Sequence, residues 1–349
     1  MKVAVVTSSP PLAEGGHLVI ARSVVDALRE AGHDAGLVVT PQNRFGRQAS
    51  AYLANWLTDV GVAHDGSPID HVISFRYPSY AVRHPRHVVW LNHRMREYYD
   101  LWDRFQATLS WKARLKERVR RSVIHRADTY LLTRRVTRVF AQSATIQRRL
   151  RRFGNIPAEV LYPPAPPRPY RCDGYGGELF AVSRFTPLKR IDLLVRALAE
   201  PAAAGVRCTI AGDGEEAPRI RQLIHDHDLG ARVTLLGSVD SATLVSQLAS
   251  CRAVIFPAFE EDFGLVTVEA FASAKAVITC HDSGGPAELV RDGESGLVSD
   301  PTPASLAAAL AKLSADQGLA EKLGAGAAGI SAEISWPKTI ARLLLQDGR

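Results

Sequence analysis

Two glutamates flank a predicted helix N-terminus in the segment PAFEEDFGLVTVEAF, residues 257–271. Glu261 falls in the loop after a strand-like apolar run, and Glu269 falls about one turn into the helix that follows. A helix N-terminus offers unpaired N–H groups and a partial positive charge to a phosphate, so the two carboxylates could accept hydrogen bonds from sugar hydroxyls on either side of a diphosphate. A simpler interpretation makes Glu269 a solvated helix residue and Glu261 a loop carboxylate that stabilises the helix dipole. The turn and the helix start consist of Phe263, Gly264, Leu265 and Val266.

Two cations stand in a position to neutralise such an anion. The segment AVSRFTPLKRIDLLVRAL, residues 181–198, places Arg184 after a predicted strand and Lys189 five residues later. Two fixed cations in a water-poor cleft would stabilise a leaving group that gains negative charge more in the transition state than in the ground state. The alternative is an ordinary surface arginine and lysine near a helix start.

Strand-like and helix-like segments alternate along the chain. Apolar runs predict buried strands at residues 2–7, 71–75 and 87–91. A second series of alternating strands and helices follows the proline-rich segment 161–177. The sequence therefore predicts an α/β protein with two Rossmann-like, doubly wound parallel-sheet domains that face a central cleft, where ligands would bind beyond the carboxyl ends of the strands. The predicted boundaries are 1–163 for the N-terminal domain, 164–176 for a stiff linker, 177–332 for the C-terminal domain, and 333–349 for a C-terminal helix that packs back on the first domain.

The segment EDFGLVTVE, residues 261–269, resembles the E-x7-E element of the retaining GT-B glycosyltransferases of family 4, the glycosyl transferases group 1. The resemblance to this family is strongest after residue 175. It implies metal-independent transfer of a sugar from a nucleotide diphosphate sugar to an acceptor hydroxyl, with retention of configuration and no cofactor beyond that donor substrate. Arg184 and Lys189 match the cations that contact the diphosphate. The resemblance also implies that Glu269 grips the ribose hydroxyls, that Glu261 orients the donor sugar, and that the N-terminal domain holds the acceptor.

Glycine-bearing loops follow the family pattern in the C-terminal domain. The segment IAGDGEE carries Gly212 and Gly214 between a predicted strand and helix, and SGGPAELVRDGESGLV, residues 283–298, carries another pair. By themselves such glycines indicate tight strand-to-helix turns. In the context of the family they would line the nucleotide side of the cleft, with Ser238 and Val239 near the base.

Three positions depart from the family pattern. The family usually has glycine where this chain has Arg190, and commonly glycine and proline where it has Ala274 and Ala276. These positions shape turns, so the departures concern the local backbone.

The first domain offers two further candidates. In AEGGH, residues 13–17, Gly15 and Gly16 would let the backbone approach a phosphate or sugar at the following helix start, unless they form a simple turn. His93, just beyond a predicted strand, resembles the family's histidine that contacts the donor sugar. A histidine in that place can also be an ordinary polar surface residue.

Positive charge is concentrated in one part of the chain. The formal charge is +7 for 349 residues, and residues 111–152 contain fourteen lysines and arginines against two acidic residues. Such a patch attracts anions, and we expect a phosphorylated, lipid-linked or glycan acceptor, with electrostatic contact to an anionic membrane surface and no insertion. Nucleic acid is not expected, because stacking or groove-directed residues are missing from the stretch. With no apolar run long enough to span a bilayer, a cytoplasmic location is expected.

The sequence supports other kinds of site and other functions less well. The segment HDHD, residues 225–228, has a metal-ligand spacing but falls at a predicted helix end, so no metal site is expected. The four scattered cysteines are expected to be core thiols. An epimerase or hydrolase of the same fold would release or invert the sugar without an acceptor. A non-enzymatic basic binder would have a decayed site, which the intact glutamates and cations disfavour.

Overall fold

The computed structural model describes residues 1–12, 15–42 and 46–344, which form two compact units. Met1–Pro163 form the first unit together with the described residues from Trp336 onward, and Pro164–Ser335 form the second. Residues 164–176, expected as a linker, are therefore part of the second unit. The expected C-terminal helix begins at Trp336 rather than at 333, and residues 345–349 of that prediction lie outside the described residues.

The first unit is built around a parallel sheet. Its strands are β1 (Lys2–Ser9), β2 (Asp34–Pro41), β3 (His71–Ser74), β4 (His87–Leu91), β5 (Arg138–Ala141) and β6 (Glu159–Val160). They are ordered β2-β1-β3-β4-β5-β6, and every pairing is parallel. The helices are α1 (Gly16–Glu30), α2 (Gln48–Leu57), α3 (Trp102–Ala107), α4 (Trp111–Arg134), α5 (Ala144–Arg152) and the C-terminal helix (Trp336–Leu344), with short 3-10 helices at Ser79–Ala81 and Arg96–Tyr98.

Helix α4 is fixed to the first unit by a buried carboxylate. Asp128 is fully buried and accepts hydrogen bonds from the hydroxyls of Tyr80, at 2.7 Å, and Tyr99, at 2.6 Å. Tyr52 donates a third hydrogen bond to the same carboxylate, and Arg94 lies 3.8 Å from the centre of the Tyr99 ring. Burial, followed by the charge of Asp128, raises the pKa of the Tyr80 and Tyr99 hydroxyls, which keeps them protonated as donors.

The second unit repeats this architecture. Its strands are β7 (Leu179–Val182), β8 (Cys208–Ala211), β9 (Val233–Gly237), β10 (Val254–Ile255), β11 (Val277–Cys280) and β12 (Gly296–Ser299), all parallel in the order β12-β11-β10-β7-β8-β9. The helices are α6 (Ile191–Ala199), α7 (Ala217–Asp226), α8 (Ser241–Ser250), α9 (Leu265–Ala272), α10 (Gly285–Leu289), α11 (Pro303–Ala315) and α12 (Gln317–Glu333), with 3-10 helices at Pro187–Lys189 and Pro201–Ala203. Within the described part of the chain, no helix is both long and apolar enough to cross a membrane.

Apolar strands and helix faces form the core of the second unit. The segments LFAV of β7 and VITC of β11 are almost entirely buried, as expected of central parallel strands covered on both faces. Leu194 and Leu198 of α6 and Leu306 and Leu310 of α11 pack in the same cluster, each fully buried. The sheet thus provides a rigid base for the loops at its carboxyl edge.

Residues 172–175 pack against the turn after α9. Lys275 is fully buried, donates to the Gly174 carbonyl oxygen, and has its Nζ 3.3 Å from Cys172 Sγ. The Tyr175 hydroxyl donates to the Ala274 carbonyl oxygen at 2.7 Å. The expectation of four core thiols is wrong for Cys172, which is exposed because it lies on this surface segment; the other three cysteines, Cys208, Cys251 and Cys280, are buried.

Helix α9 ends in a left-handed residue that is not glycine. Ala274 has a φ of 53°, and the next residue, Lys275, donates its N–H to the Ala270 carbonyl oxygen at 2.8 Å. This is the helix C-terminal geometry in which glycine is preferred, because a Cβ in the left-handed region is strained. The left-handed backbone therefore explains why the family commonly has glycine at this position. This chain has alanine there and adopts the same backbone conformation.

We expect Ala274→Gly to raise the free energy of unfolding by about 1 kcal/mol, because glycine adopts this backbone without Cβ strain. Urea unfolding of the full chain measures the change. Ala272→Gly, in the last turn of the same helix, is the matched control and should lower the free energy of unfolding by about 0.5–1 kcal/mol. Loss of stability in both variants would contradict the interpretation.

Candidate functional site

The predicted site residues of the second unit follow the carboxyl ends of its strands. Strand β7 pairs with β8 on one side and with β10 on the other. The chain runs from β7 through β8 to β9 and then crosses back to β10, so the loops after β7 and β10 diverge. Doubly wound sheets bind ligands at such a switch point. Lys189 lies in the loop after β7 and Glu261 in the loop after β10.

Lys189 and Glu261 form an ion pair at this switch point. Lys189 Nζ donates to Glu261 Oε2 at 2.6 Å, and the two side chains are only 21% and 20% exposed. The ammonium also lies 5.1 Å from the centre of the Phe256 ring. A backbone hydrogen bond from Phe259 N to the Leu188 carbonyl oxygen, 2.7 Å long, joins the two loops. The pair therefore holds one fixed cation and one fixed carboxylate in partly dehydrated surroundings.

A glycine pair fixes the backbone that carries Glu261. Glu261 donates its N–H to the Ser283 carbonyl oxygen and accepts from the N–H of Gly285, both at 2.9 Å. A Cβ on Gly284 would lie 2.5 Å from the Glu261 carbonyl oxygen, and one on Gly285 would lie 2.6 Å from the Cα of the buried Phe263. The glycines are required here by the close approach of two backbones.

The N-terminus of α9 begins directly after this contact. Gly264 precedes the helix with a φ of 77°, and a Cβ there would lie 2.6 Å from Pro286 Cγ and 2.8 Å from Phe256 Cε1. Leu265 and Val266 are the first two helical residues, so their N–H groups have no acceptor within the helix. This end of α9 can therefore donate to an anion, as the sequence predicts.

Glu269 has two partners that the sequence did not indicate. It is 5% exposed, and its Oε1 accepts hydrogen bonds from Arg168 Nη1 and from the Tyr170 hydroxyl, the latter at 3.0 Å. Burial raises the pKa of the Glu269 carboxyl, while Arg168 and Tyr170 act in the opposite direction. The interpretation of Glu269 as a solvated helix residue is therefore wrong. A buried acid needs a hydrogen-bond partner, but nothing in the sequence indicates that Arg168 and Tyr170 supply it.

Arg190 occupies the position where the family has glycine, and its backbone is left-handed, with φ 51° and ψ 39°. Its guanidinium binds Asp282 through two hydrogen bonds, of 2.8 and 2.5 Å, and lies 4.7 Å from the centre of the Phe259 ring. Asp282 follows β11, so this side chain connects the loops after β7 and β11. The two hydrogen bonds to Asp282 thus offset the strain of the left-handed backbone at Arg190, which a glycine would not have.

Gly212 and Gly214 lie in the loop after β8, against the loop after β7. A Cβ on Gly212 would lie 1.8 Å from the Ser183 carbonyl oxygen, and one on Gly214 would lie 2.5 Å from the Phe185 carbonyl oxygen. Both glycines also have positive φ. The close packing of the two loops explains why glycine occupies both positions. Contact of these glycines with a nucleotide remains a prediction.

Three other candidates follow β7 and β9 without joining the ion pair. Arg184 is exposed, and the structure gives its guanidinium no partner among the described residues. Ser238 is exposed and Val239 is half-buried, directly after β9. Their contacts with a donor remain predictions.

The first unit places its candidates after β1 and β4. Gly16 is the first residue of α1, and the Gly15 carbonyl oxygen accepts the N–H of Leu18 at 3.0 Å. Residues 13 and 14 of the predicted AEGGH loop lie outside the described residues. His93 is half-buried just beyond β4, and its carbonyl oxygen accepts the Tyr77 N–H at 3.3 Å. Their contacts with a donor also remain predictions.

The HDHD segment is exposed and lies at the C-terminal end of α7. His225 and Asp226 close α7, and their side chains are 85% and 53% exposed. Across residues 1–12, 15–42 and 46–344, no group of three histidine, cysteine, aspartate or glutamate side chains is placed to hold a metal ion.

Residues 176–329 match the family model described as "Glycosyl transferases group 1". The second unit is a glycosyl transferases group 1 domain. The matched residues contain all six strands of the second sheet, together with Lys189, Glu261 and Glu269. The family resemblance noted from the sequence is thereby confirmed for this region.

Curated glycosyltransferases are similar to part of this chain. The D-inositol 3-phosphate glycosyltransferase of Nocardia farcinica is 36% identical over 174 residues, covering 47% of this chain and 38% of that protein. The alpha-D-kanosaminyltransferase of Streptomyces kanamyceticus is 31% identical over 155 residues, covering 43% of this chain and 40% of that protein. The chain thus spans less than half the length of these relatives.

Solved structures match both units. Sucrose-phosphate synthase from Thermosynechococcus elongatus superposes with a TM-score of 0.77 at 18% identity, covering 97% of each chain. HepE from Anabaena, in complex with UDP and glucose, gives a TM-score of 0.67 at 17% identity, covering 97% of this chain and 98% of that one. These similarities, with the two parallel six-stranded sheets, confirm the GT-B fold around the group 1 domain.

We expect Glu269→Gln to remove a pH-dependent contribution to stability. Burial raises the pKa of Glu269 above its ordinary 4.5, so the folded chain binds this proton more tightly than the unfolded chain. The carboxyl therefore favours folding less as the pH rises from 4.5 through the raised pKa. Urea unfolding at a series of pH values should show the stability of the parent chain, relative to Glu269→Gln, falling toward neutral pH.

The control for this experiment is Glu215→Gln, which changes an exposed glutamate of the same unit. Its stability should follow the parent curve. If Glu269→Gln also followed the parent curve at every pH, burial of the ionised carboxylate would have no effect on folding.

Proposed function

We propose that the protein is a metal-independent, retaining glycosyltransferase that moves a sugar from a nucleotide diphosphate sugar to an acceptor hydroxyl. The observation that carries the proposal is the Lys189–Glu261 ion pair at the switch point of a group 1 domain, in a loop that continues into the N-terminus of α9. This arrangement combines a cation and backbone donors for a diphosphate with a carboxylate for sugar hydroxyls.

The donor diphosphate would contact Arg184, Lys189 and the first N–H groups of α9. Lys189 is held by Glu261 and the N–H groups are held by the start of α9 before the reaction, so these donors would favour the leaving diphosphate as its charge grows with little reorganisation. The exposed Arg184 would be ordered by its contact with the diphosphate. In the complex, Lys189 would interact with phosphate oxygens while Glu261 orients the donor sugar. For His93, the proposed contact with the donor sugar rests on the family resemblance. Glu269 has its Oε1 held by Arg168 and Tyr170, which orients the carboxylate for the ribose hydroxyls.

The proposed step breaks the bond between the anomeric carbon and the diphosphate oxygen and forms a bond from that carbon to the acceptor oxygen. With retention, attack comes from the face that the diphosphate leaves, so a leaving phosphate oxygen can accept the acceptor's proton. Exclusion of water from the site would favour transfer over hydrolysis. Retention itself rests on the family resemblance.

The acceptor is proposed to be a phosphorylated, lipid-linked or glycan intermediate in the cytoplasm. The basic excess of residues 111–152 supports an anionic acceptor. A relative whose name specifies D-inositol 3-phosphate offers a precedent for a phosphate-bearing one.

Binding of nucleoside diphosphates tests the donor assignment. Among UDP, GDP, ADP and TDP, we expect one to raise the melting temperature, because a ligand that binds the folded state alone stabilises it by about 2.7 kcal/mol at 100 times its Kd. Thermal unfolding with each ligand, without added divalent metal, measures this. The same ligand should give a smaller shift with Lys189→Ala. If none of the four ligands stabilises the chain, the donor site is wrongly assigned.

Turnover tests the two cations. Lys189→Ala and Arg184→Ala should each lower turnover by about 10²–10³, the scale for loss of one preorganised charge-stabilising donor. The matched control is Arg207→Ala, because Arg207 is exposed just before β8, at the opposite edge of the same sheet, where it pairs with Glu178. Normal turnover in both cation variants would refute their role, and rapid sugar release without acceptor would indicate a hydrolase.

A further inference from the structure

Helix α4 carries a row of large apolar side chains on its solvent-exposed side. Trp111, Leu115, Val119 and Val123 are 72%, 60%, 63% and 57% exposed. They recur every four residues, a spacing that places neighbours side by side along an α-helix. These four residues, here called the α4 ridge, form a continuous apolar line of about 18 Å, given the 1.5 Å rise per residue.

The helix is held to its unit by other residues. Ile124, Leu131 and Leu132 are buried in the core cluster of the first unit, and Asp128 is bonded to tyrosine hydroxyls. The residues of the α4 ridge do not belong to this core cluster, and more than half of each side chain is exposed to solvent. An exposed apolar row of this kind marks a surface that contacts something else.

Basic side chains border the α4 ridge on both sides. In helical projection, Arg114 and Arg118 fall on one side of the row, and Lys112 and Lys116 on the other. Lys112, Lys116 and Arg118 are exposed, and the structure records no acidic partner for them among the residues it describes.

The two acidic residues of α4 point into the protein and leave the outer side positive. Glu117 is 8% exposed and accepts the Tyr98 hydroxyl at 2.6 Å, and Asp128 is fully buried. An apolar centre with cationic margins is complementary to one surface in particular, an acyl-chain boundary beneath anionic phosphates.

We propose that the α4 ridge lies in the headgroup boundary of an anionic lipid bilayer, with the bordering lysines and arginines on lipid phosphates. The contact includes shallow insertion of apolar side chains, which differs from the purely electrostatic attachment expected from the sequence. The charge pattern alone could not distinguish these two modes, because the exposure of the apolar row is a property of the fold. This inference is independent of the proposed transfer reaction, since membrane binding needs neither donor nor acceptor.

Co-sedimentation of the full chain with vesicles tests the proposal. The protein should bind vesicles of equimolar phosphatidylglycerol and phosphatidylcholine and should bind pure phosphatidylcholine far more weakly. The double variant Leu115→Ser/Val119→Ser should bind the anionic vesicles about tenfold more weakly, because it removes apolar area from the boundary. Leu236→Ser, an exposed leucine of the second unit, is the control and should bind as the parent does.

Tryptophan fluorescence separates insertion from surface attraction. On addition of anionic vesicles, emission should shift to shorter wavelength and become protected from acrylamide, and both changes should be absent in Trp111→Phe. Circular dichroism and urea unfolding establish that the variants are folded.

Two results would overturn the proposal. The first is unchanged vesicle binding by the folded Leu115→Ser/Val119→Ser variant, which would leave charge as the sole attraction. The second is protection of Trp111 that depends on protein concentration without vesicles, which would assign the α4 ridge to a second copy of this chain.

Discussion

The candidate site depends on the close approach of two backbones, at Gly284–Gly285 and at Glu261–Phe263. Hydrogen bonds in both directions join these segments, and the space between them admits no Cβ. This contact fixes the direction in which Glu261 leaves the sheet and the point at which α9 begins. The carboxylate, the helix N-terminus and the buried Glu269 further along the helix therefore share one rigid support, which suits a site that must stabilise a developing charge without reorganising.

Charged side chains extend this support across the carboxyl edge of the second sheet. The Lys189–Glu261 pair joins the loops after β7 and β10, and the Arg190–Asp282 fork joins the loops after β7 and β11. Both pairs are largely shielded from solvent, where a lost partner would leave a costly unpaired charge. Ion pairs thus contribute here to the position of the loops, while apolar packing beneath them supplies the stability.

Much of this arrangement was accessible from the sequence. Alternating strands and helices predict parallel sheets, parallel sheets bring their carboxyl ends to one edge, and that edge contains Lys189 and Glu261. The contacts of Arg168 and Tyr170 with Glu269 were not predictable, because they join positions about one hundred residues apart in the chain. The exposure of Cys172 and of the α4 ridge was hidden for a related reason: composition does not reveal which side of a segment the rest of the fold covers.

The hydrogen bonds between Asp128 and its three tyrosines determine which positions of α4 can be substituted during evolution. They attach α4 from its inner side through partners on three separate segments of the chain, so this attachment does not depend on the residues that face outward. Substitutions there can accumulate without unfolding the domain. A lineage that keeps this anchor can therefore change the molecule that contacts the outer side of α4 while the core of the first unit stays as it is.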